Sequence, residues 1–395
     1  MSSSEVLIIG AGIFGLPAAL ELRRRGHAVS VMDTGPIPHP LAASTDISKV
    51  IRMEYGPDEQ YMALMEEGLR RWRQWNEIWE EQDEAPLFHE TGITMVCRGE
   101  MAPGGFEYES YCHLLKRDHK PQRLDGAAIA DRFPAWNAEV YVDGFYHAMG
   151  GYAESGAVIE ALARQAKREG VTFHVPFTIT ELIEENGRVT GVKDQAGEVF
   201  VADAIVLATG SWTGTLLPEL SNSLAPMGQP VFHLKPSNPN LFTSDHFPVF
   251  TADIARTGYY GFPLHPDGIV KIARHGIGTW TEPNGERKVT ERDHMDLRAF
   301  LARTFPSLLH DEVIYTRLCL YTDSPDGHFW IDRDPTREGL TVASGGSGHG
   351  FKFGPVLGSV IADTVEGRDG PWRNLFRWRP ELGQGHNREA ARYQG

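Results

Sequence analysis

The sequence predicts an α/β protein in which a nucleotide-binding domain of alternating strands and helices is split by an inserted, more antiparallel α+β domain. Three observations carry this. Glu5–Ile9 reads as an apolar strand, Ile13–Arg25 as a helix and Ala28–Asp33 as the next strand, with GAGIFG joining the first two. DAIVLATG, Asp203–Gly210, reads as another buried strand ending in Ala-Thr-Gly. GLTVAS, then GGSGHGFKF, then GPVLGSVIADTVEG gives a further strand, glycine-rich turn and helix.

The remaining elements follow in order. Asp58–Gln82 places Tyr61, Leu64, Met65, Leu69, Trp72, Trp75, Ile78 and Trp79 at helical spacing, a stripe that reads as core. Ser155–Glu169 reads as a second long helix. Short strands are expected at Val171–Val175, Thr178–Glu184, Val189–Asp194, Val199–Val201 and Ala204–Leu207. Ala225–Arg317 reads as an interrupted sheet with a helix near Glu291–Thr304, and Val313–Thr322 as an edge strand. The expected division gives residues 1–90, 150–224 and 319–395 to the nucleotide domain, and 91–149 and 225–318 to the second.

Composition narrows the function. The 395 residues are 41% hydrophobic, enough for an ample core. A net charge of -15 disfavours a phosphate-tracking surface, so no nucleic-acid partner is expected. Cys97, Cys112 and Cys319 are far apart and odd in number. They form neither a disulfide framework nor a zinc spacing, so no metal and a reducing, cytoplasmic setting are expected. VLIIGAGIFGLPAALEL carries glycines and lacks a basic flank and cleavage site, so it reads as fold rather than as signal peptide or membrane span.

GAGIFG fits the dinucleotide fingerprint in the right context, after a strand and before a helix. Gly10 permits the tight turn, Gly12 lets a pyrophosphate approach the backbone, and Gly15 lets helix and strand pack closely. The helix N-terminus faces the phosphates, and Asp33 can accept from a ribose hydroxyl. The fingerprint alone does not separate FAD from NAD.

Taken together, the fingerprint, the ATG strand with Thr209 and Gly210, RLCLYTDSPDGHFWIDRDP (Arg317–Pro335) and SGGSGHGFKF resemble the monomeric sarcosine oxidase family, which includes N-methyl-amino-acid oxidases and fructosyl-amino-acid oxidases, or amadoriases. The resemblance implies an FAD-binding Rossmann-like domain interleaved with an antiparallel-sheet substrate domain. It implies an oxidase that converts an amine C–N bond to an imine and reduces molecular oxygen to hydrogen peroxide, working as a monomer on an amino-acid-derived amine.

The resemblance also assigns residues. Val175 meets the adenine through its backbone, and Ser44 and Thr45 join the cofactor contacts. Cys319 carries the flavin covalently; by itself a lone cysteine reads as a small buried hydrophobe. Gly346, Gly348 and Gly350 let backbone approach the flavin edge, and Lys352 adds positive charge there and helps hold a substrate carboxylate. Arg52 binds that carboxylate, with Lys49 three residues before it on an expected helical turn. Lys49 replaces the arginine of typical sarcosine oxidases, a departure toward the amadoriase pattern. Lys271 activates oxygen, His275 shapes the amine site and Tyr260 lines it. Asp326 and His328 are expected to build a turn, and LFRWRPE (Leu375–Glu381) to pack across the flavin domain without chemistry.

Other functions remain open at this point: a cyclic imino-acid oxidase using the same clamp, a dehydrogenase feeding a partner, and a non-catalytic flavin protein. No membrane anchor or electron-relay cysteines favour the dehydrogenase.

Overall fold

In the computed structural model, which describes residues 3–383 and 387–395, two large sheets share the work. The first has six strands in the order Trp330–Arg333, Leu340–Ser344, Ala204–Leu207, Glu5–Ile9, Ala28–Met32 and Thr172–His174. All neighbours are parallel except the first pair. The parallel strands are near-continuous apolar runs, as a sheet covered on both faces requires. Helices Gly15–Arg24, Ser155–Arg168 and Gly354–Glu366 pack with it into one core.

The second sheet has nine strands drawn from residues 93–147 and 225–323. Its long pair, Ala225–Lys235 with Glu312–Asp323, is antiparallel, and Val270–Arg274 flanks Ala225–Lys235 on the other side. Phe232, Phe247, Phe250 and Phe305 fill the cluster beneath it. Side chains alternate across a strand, so one face of this sheet presents His233, Lys271, Arg317, Cys319 and Tyr321 together.

Most elements lie where the sequence places them. The helix Glu291–Thr304 starts with a capping box formed by Thr290 and Asp293. The helix Glu59–Glu80 is capped by the Asp58 carboxylate, and Tyr61, Leu64, Met65, Leu69, Trp72 and Trp79 are buried on its inner face. One expectation fails. Lys49–Ile51 is a strand, not part of a helical turn. It pairs with Gly151–Ala153, where two glycines admit the close approach. A Cβ at Gly150 would lie 2.7 Å from the Ile51 carbonyl oxygen, and one at Gly151 would lie 2.0 Å from that of His89. Tertiary pairing therefore overrides the local charge spacing.

After the last long helix, Arg379 latches the chain to the turn that precedes Trp330–Arg333. Arg379, in RWRP, gives a forked pair of hydrogen bonds to Asp326 at 2.7 and 2.9 Å and donates to the carbonyls of His328 and Phe329. Asp326 in turn accepts from the His328 N–H, so this carboxylate does build the expected turn. Arg379→Ala is expected to lower stability by about 3 kcal/mol, because it strands a paired carboxylate. A urea titration checks this: the midpoint falls with the slope unchanged.

Candidate active site

The amino-terminal glycines are held by contact as well as by turn geometry. Gly10 has φ +106, and a Cβ there would lie 2.4 Å from the Ala208 carbonyl oxygen. The ATG segment with Thr209 and Gly210 thus lies directly against the fingerprint loop. A Cβ at Gly15 would strike the Gly10 carbonyl at 1.9 Å. Asp33 caps the loop, its Oδ2 accepting from the Ala11 N–H at 2.8 Å. Ser44 faces the same turn: its Oγ accepts from the Ile13 N–H at 3.1 Å, and a Cβ at Gly12 would lie 3.1 Å from that oxygen. Val175 lies just past the edge strand Thr172–His174, half-exposed beside Ile37 and Phe173 on an open cleft of about 550 Å³.

Between Ser44 and Arg52 the chain covers the face of the nine-stranded sheet that carries His233 and Lys271. Arg317 holds this stretch by donating to the carbonyls of Thr45 and Ala42. Within it lies Asp46, a residue the sequence reading did not single out. Its carboxylate is buried, 2.7 Å from Lys271 Nζ, 3.2 Å from His233 Nε2 and 3.9 Å from Lys49 Nζ. The strand register explains the convergence: His233 and Lys271 are direct cross-strand partners, so both side chains reach the same carboxylate. Burial opposes ionisation of Asp46, but the Lys271 charge holds its carboxyl well below the usual range. Lys271 has 1% of its side chain exposed, donates to the Ser48 carbonyl and sits 4.6 Å over the Phe262 ring. Burial pulls its ammonium down to about 8, with Asp46 opposing.

Lys49, Arg52, Tyr260, His275 and Lys352, all sequence candidates, line one small cavity of about 60 Å³ together with Tyr321, His349 and Glu389. Tyr259, by contrast, stacks on Phe300 at 4.1 Å, away from this wall. Lys352 lies in a 3₁₀ turn, Phe351–Phe353, ahead of the helix rather than in an open loop. Its Nζ donates to the Tyr55 hydroxyl at 3.0 Å. The chain of donors is determined from its far end. His349 Nε2 meets the Gly327 carbonyl at 2.9 Å and must donate there. Burial keeps His349 neutral, with its pKa pulled down to about 3, so Nδ1 accepts from Tyr55 at 2.9 Å. Burial, and then the Arg52 charge, also hold the Lys352 ammonium well below its ordinary value.

His275 contacts Glu389 through Nε2. Burial lowers the His275 pKa, with Glu389 opposing. Burial would raise the Glu389 carboxyl, yet His275 and Arg52 hold it well below the usual range, as an anion. Two glycines of GGSGHG, Gly348 and Gly350, are required by protein neighbours. A Cβ at Gly348 would lie 2.2 Å from the Tyr321 ring, and one at Gly350 2.9 Å from Phe14; one at Gly346 would touch Phe14 at 3.4 Å. Cys319 is a free, buried thiol on the same sheet face, clustered with Val231, Ala273 and Tyr321. Asp46, Tyr55, Tyr321, His349 and Glu389 complete a site of which the sequence reading named the cations. His349 stood inside the quoted glycine motif; Glu389 had no motif around it.

The loops fit a dinucleotide. The fingerprint turn has no room for side chains at its glycines, and the buried hydroxyls of Thr45 and Ser48, which follow Ser44 along the chain, have no hydrogen-bond partner among the described residues. Such a cradle, in a chain that also gathers buried cations around one cavity, fits a dinucleotide-dependent redox enzyme. The chain belongs to the FAD dependent oxidoreductase family, whose DAO model matches residues 5–364; it is an FAD-dependent oxidoreductase. Monomeric sarcosine oxidase of a Bacillus species is 27% identical over 366 residues, covering 91% of this chain and 92% of its own. N-methyl-L-tryptophan oxidase of Salmonella enteritidis is 29% identical over 368 residues, covering 92% and 95%. The crystal structure of the fructosamine oxidase Amadoriase II of Aspergillus fumigatus, in complex with FSA, superimposes with a TM-score of 0.84 at 26% identity, covering 100% of this chain and 94% of its own. No helix among the described residues is long and apolar enough to cross a membrane.

Lys271→Met is expected to cost about 3 kcal/mol, because Asp46 stays buried without its main counter-charge. Asp46→Asn combined with Lys271→Met is expected to cost less than the sum of the two single changes, by more than 1 kcal/mol. Urea unfolding of the four proteins of this cycle measures the coupling.

Proposed function

We propose that the protein oxidises the C–N bond of a secondary amine in an N-substituted amino acid, of the sarcosine or N-methyl type, with oxygen as acceptor and hydrogen peroxide as product. The observation that carries this reading is the placement of Arg52 and Lys352 on the wall of one cavity with the Lys271–Asp46 pair beside it. Two donors on one wall suit a carboxylate, and a forked guanidinium suits it best. FAD, when bound, supplies the two-electron acceptor that takes a hydride equivalent from the substrate carbon and passes the electrons to oxygen.

The chain's own residues supply the rest. The six-stranded unit holds the cofactor through Gly10, Gly12, Gly15, Asp33, Ser44, Thr45, Val175, Thr209 and Gly210, and the turn at Gly346, Gly348 and Gly350 borders it. The nine-stranded unit furnishes the substrate walls. Arg52 and Lys352 hold the substrate carboxylate, and Tyr260 and His275 pack on the amine side. This orientation supplies much of the rate, because the reacting carbon is presented without a search. Lys271, with Lys49 near it, places positive charge where oxygen gains electrons. Cys319 is the candidate for covalent attachment; a yellow band that survives denaturing electrophoresis tests it. A monomer in a reducing, cytoplasmic setting suits the free cysteines.

A fructosyl amino acid is the second reading. Lys49 in place of the sarcosine-oxidase arginine favours it, as does the likeness to Amadoriase II. Anaerobic mixing of the holoenzyme with sarcosine and, separately, with a fructosyl amino acid decides. Loss of the yellow absorbance with sarcosine supports the first reading. Loss only with the fructosyl compound replaces it with the second. A flavin that neither bleaches moves the search to cyclic imino acids. With the substrate that bleaches it, Arg52→Ala is expected to weaken binding roughly 100-fold, as loss of a buried charged partner does.

A further inference from the structure

The cavity holds an acid that the reaction above does not use. Glu389 comes from the segment 387–395, which is built into the fold. Tyr393 N–H donates to the His275 carbonyl at 3.1 Å. Arg392 pairs with Asp323 and donates to the Ser347 carbonyl at 3.3 Å. Ala391 is fully buried. Asn387 Oδ1 accepts from the Glu389 N–H at 2.9 Å. The carboxylate is therefore placed by contacts on both sides of it.

Only 7% of the Glu389 side chain is exposed. Oε2 is taken by His275. Oε1 has no hydrogen-bond partner among the described residues and stands 3.8 Å from Arg52 Nη2. The Arg52 side chain is 6% exposed, and its Nη1 also has no hydrogen-bond partner among the described residues. An open acceptor and an open donor, both charged and both buried, thus border one cavity. Leaving either unpaired is costly, and a ligand that pairs with both recovers that cost.

The charges point the same way. An anion bound by Arg52 alone would lie against the Glu389 carboxylate. A ligand with a cationic N–H a few atoms from its own carboxylate meets both partners with the right sign. We propose that Glu389 is a substrate-binding residue that receives the protonated amine, so that the site selects its N-substituted amino acid as the zwitterion, carboxylate on Arg52 and N–H on Glu389 Oε1, which takes the ammonium proton before the substrate carbon gives up its hydride equivalent. The proposal rests on the amino-acid reading of this cavity given above. It adds a specificity consequence: an isostere without the N–H leaves Oε1 unpaired and is rejected.

Two small probes isolate the term. N,N-dimethylglycine and 3-methylbutanoate have the same shape and carboxylate, and differ in an N–H cation against a C–H. Anaerobic calorimetric titration of the holoenzyme is expected to show dimethylglycine binding at least tenfold tighter. Glu389→Gln is expected to weaken dimethylglycine and tighten 3-methylbutanoate, bringing the two within about twofold, and Glu389→Asp to restore part of the preference. Equal binding of the two by the unmodified protein overturns the proposal while leaving the carboxylate clamp standing. Equal weakening of both probes by Glu389→Gln also overturns it, since a purely structural acid would act that way. If neither probe binds the unmodified protein, the amino-acid reading fails and the proposal with it. Should the variants not fold, the comparison on the unmodified protein decides.

Discussion

An ammonium with 1% of its side chain exposed must be paired, and Asp46 is its partner. This constraint ties the molecule together. Lys271 belongs to the nine-stranded sheet, and Asp46 to the stretch that follows the dinucleotide loop. Pairing them draws the nine-stranded sheet against the stretch that follows the glycine loop, with His233 and Lys49 adding to the same carboxylate. Arg317 fixes the stretch from its other side through the carbonyls of Ala42 and Thr45. Charge left over after Asp46 is balanced is positive, which is the sign the proposed reaction needs.

Much of the fold is legible in the sequence because local signals agree with tertiary structure. GAGIFG between an apolar strand and an apolar helix leaves little choice, and the aromatic stripe of Glu59–Glu80 has one helical period. The capping box at Thr290 marks its helix start directly. The cations of the site are legible through motif resemblance, and all five lining candidates do reach one cavity. The strand at Lys49–Ile51 is not legible, because its partner, Gly151–Ala153, is remote and accepts it through glycines whose absent side chains give no local sign. The acids are harder still. Asp46 gains its meaning only from the His233–Lys271 register, and Glu389 only from where the latch at Arg379 and the contacts of Arg392 deliver the chain.

The latch gives the C-terminal segment a place on the cavity wall as well as in the packing. Arg379 turns the chain past Asp326, and residues 387–395 then dock on His275, Asp323 and Ser347. Tyr321 packs against Gly348 on the same wall, so the glycine motif, the sheet face and the tail meet at one point. In this arrangement the tail meets the cavity through Glu389, beside His275 and Arg52, and meets the glycine turn through Ser347.

The Lys271 charge, sustained by Asp46, is proposed to serve the step in which oxygen takes electrons. The direct measurement is the rate at which chemically reduced holoenzyme reacts with oxygen, followed as a function of pH with and without Lys271→Met. Burial sets the Lys271 pKa at about 8, so the charge is present below that pH and lost above it. The rate is expected to fall as pH rises through about 8, and the variant to be slower by roughly 100-fold at neutral pH with no such fall. A variant that reacts as fast as the unmodified protein, with the same pH profile, would contradict it.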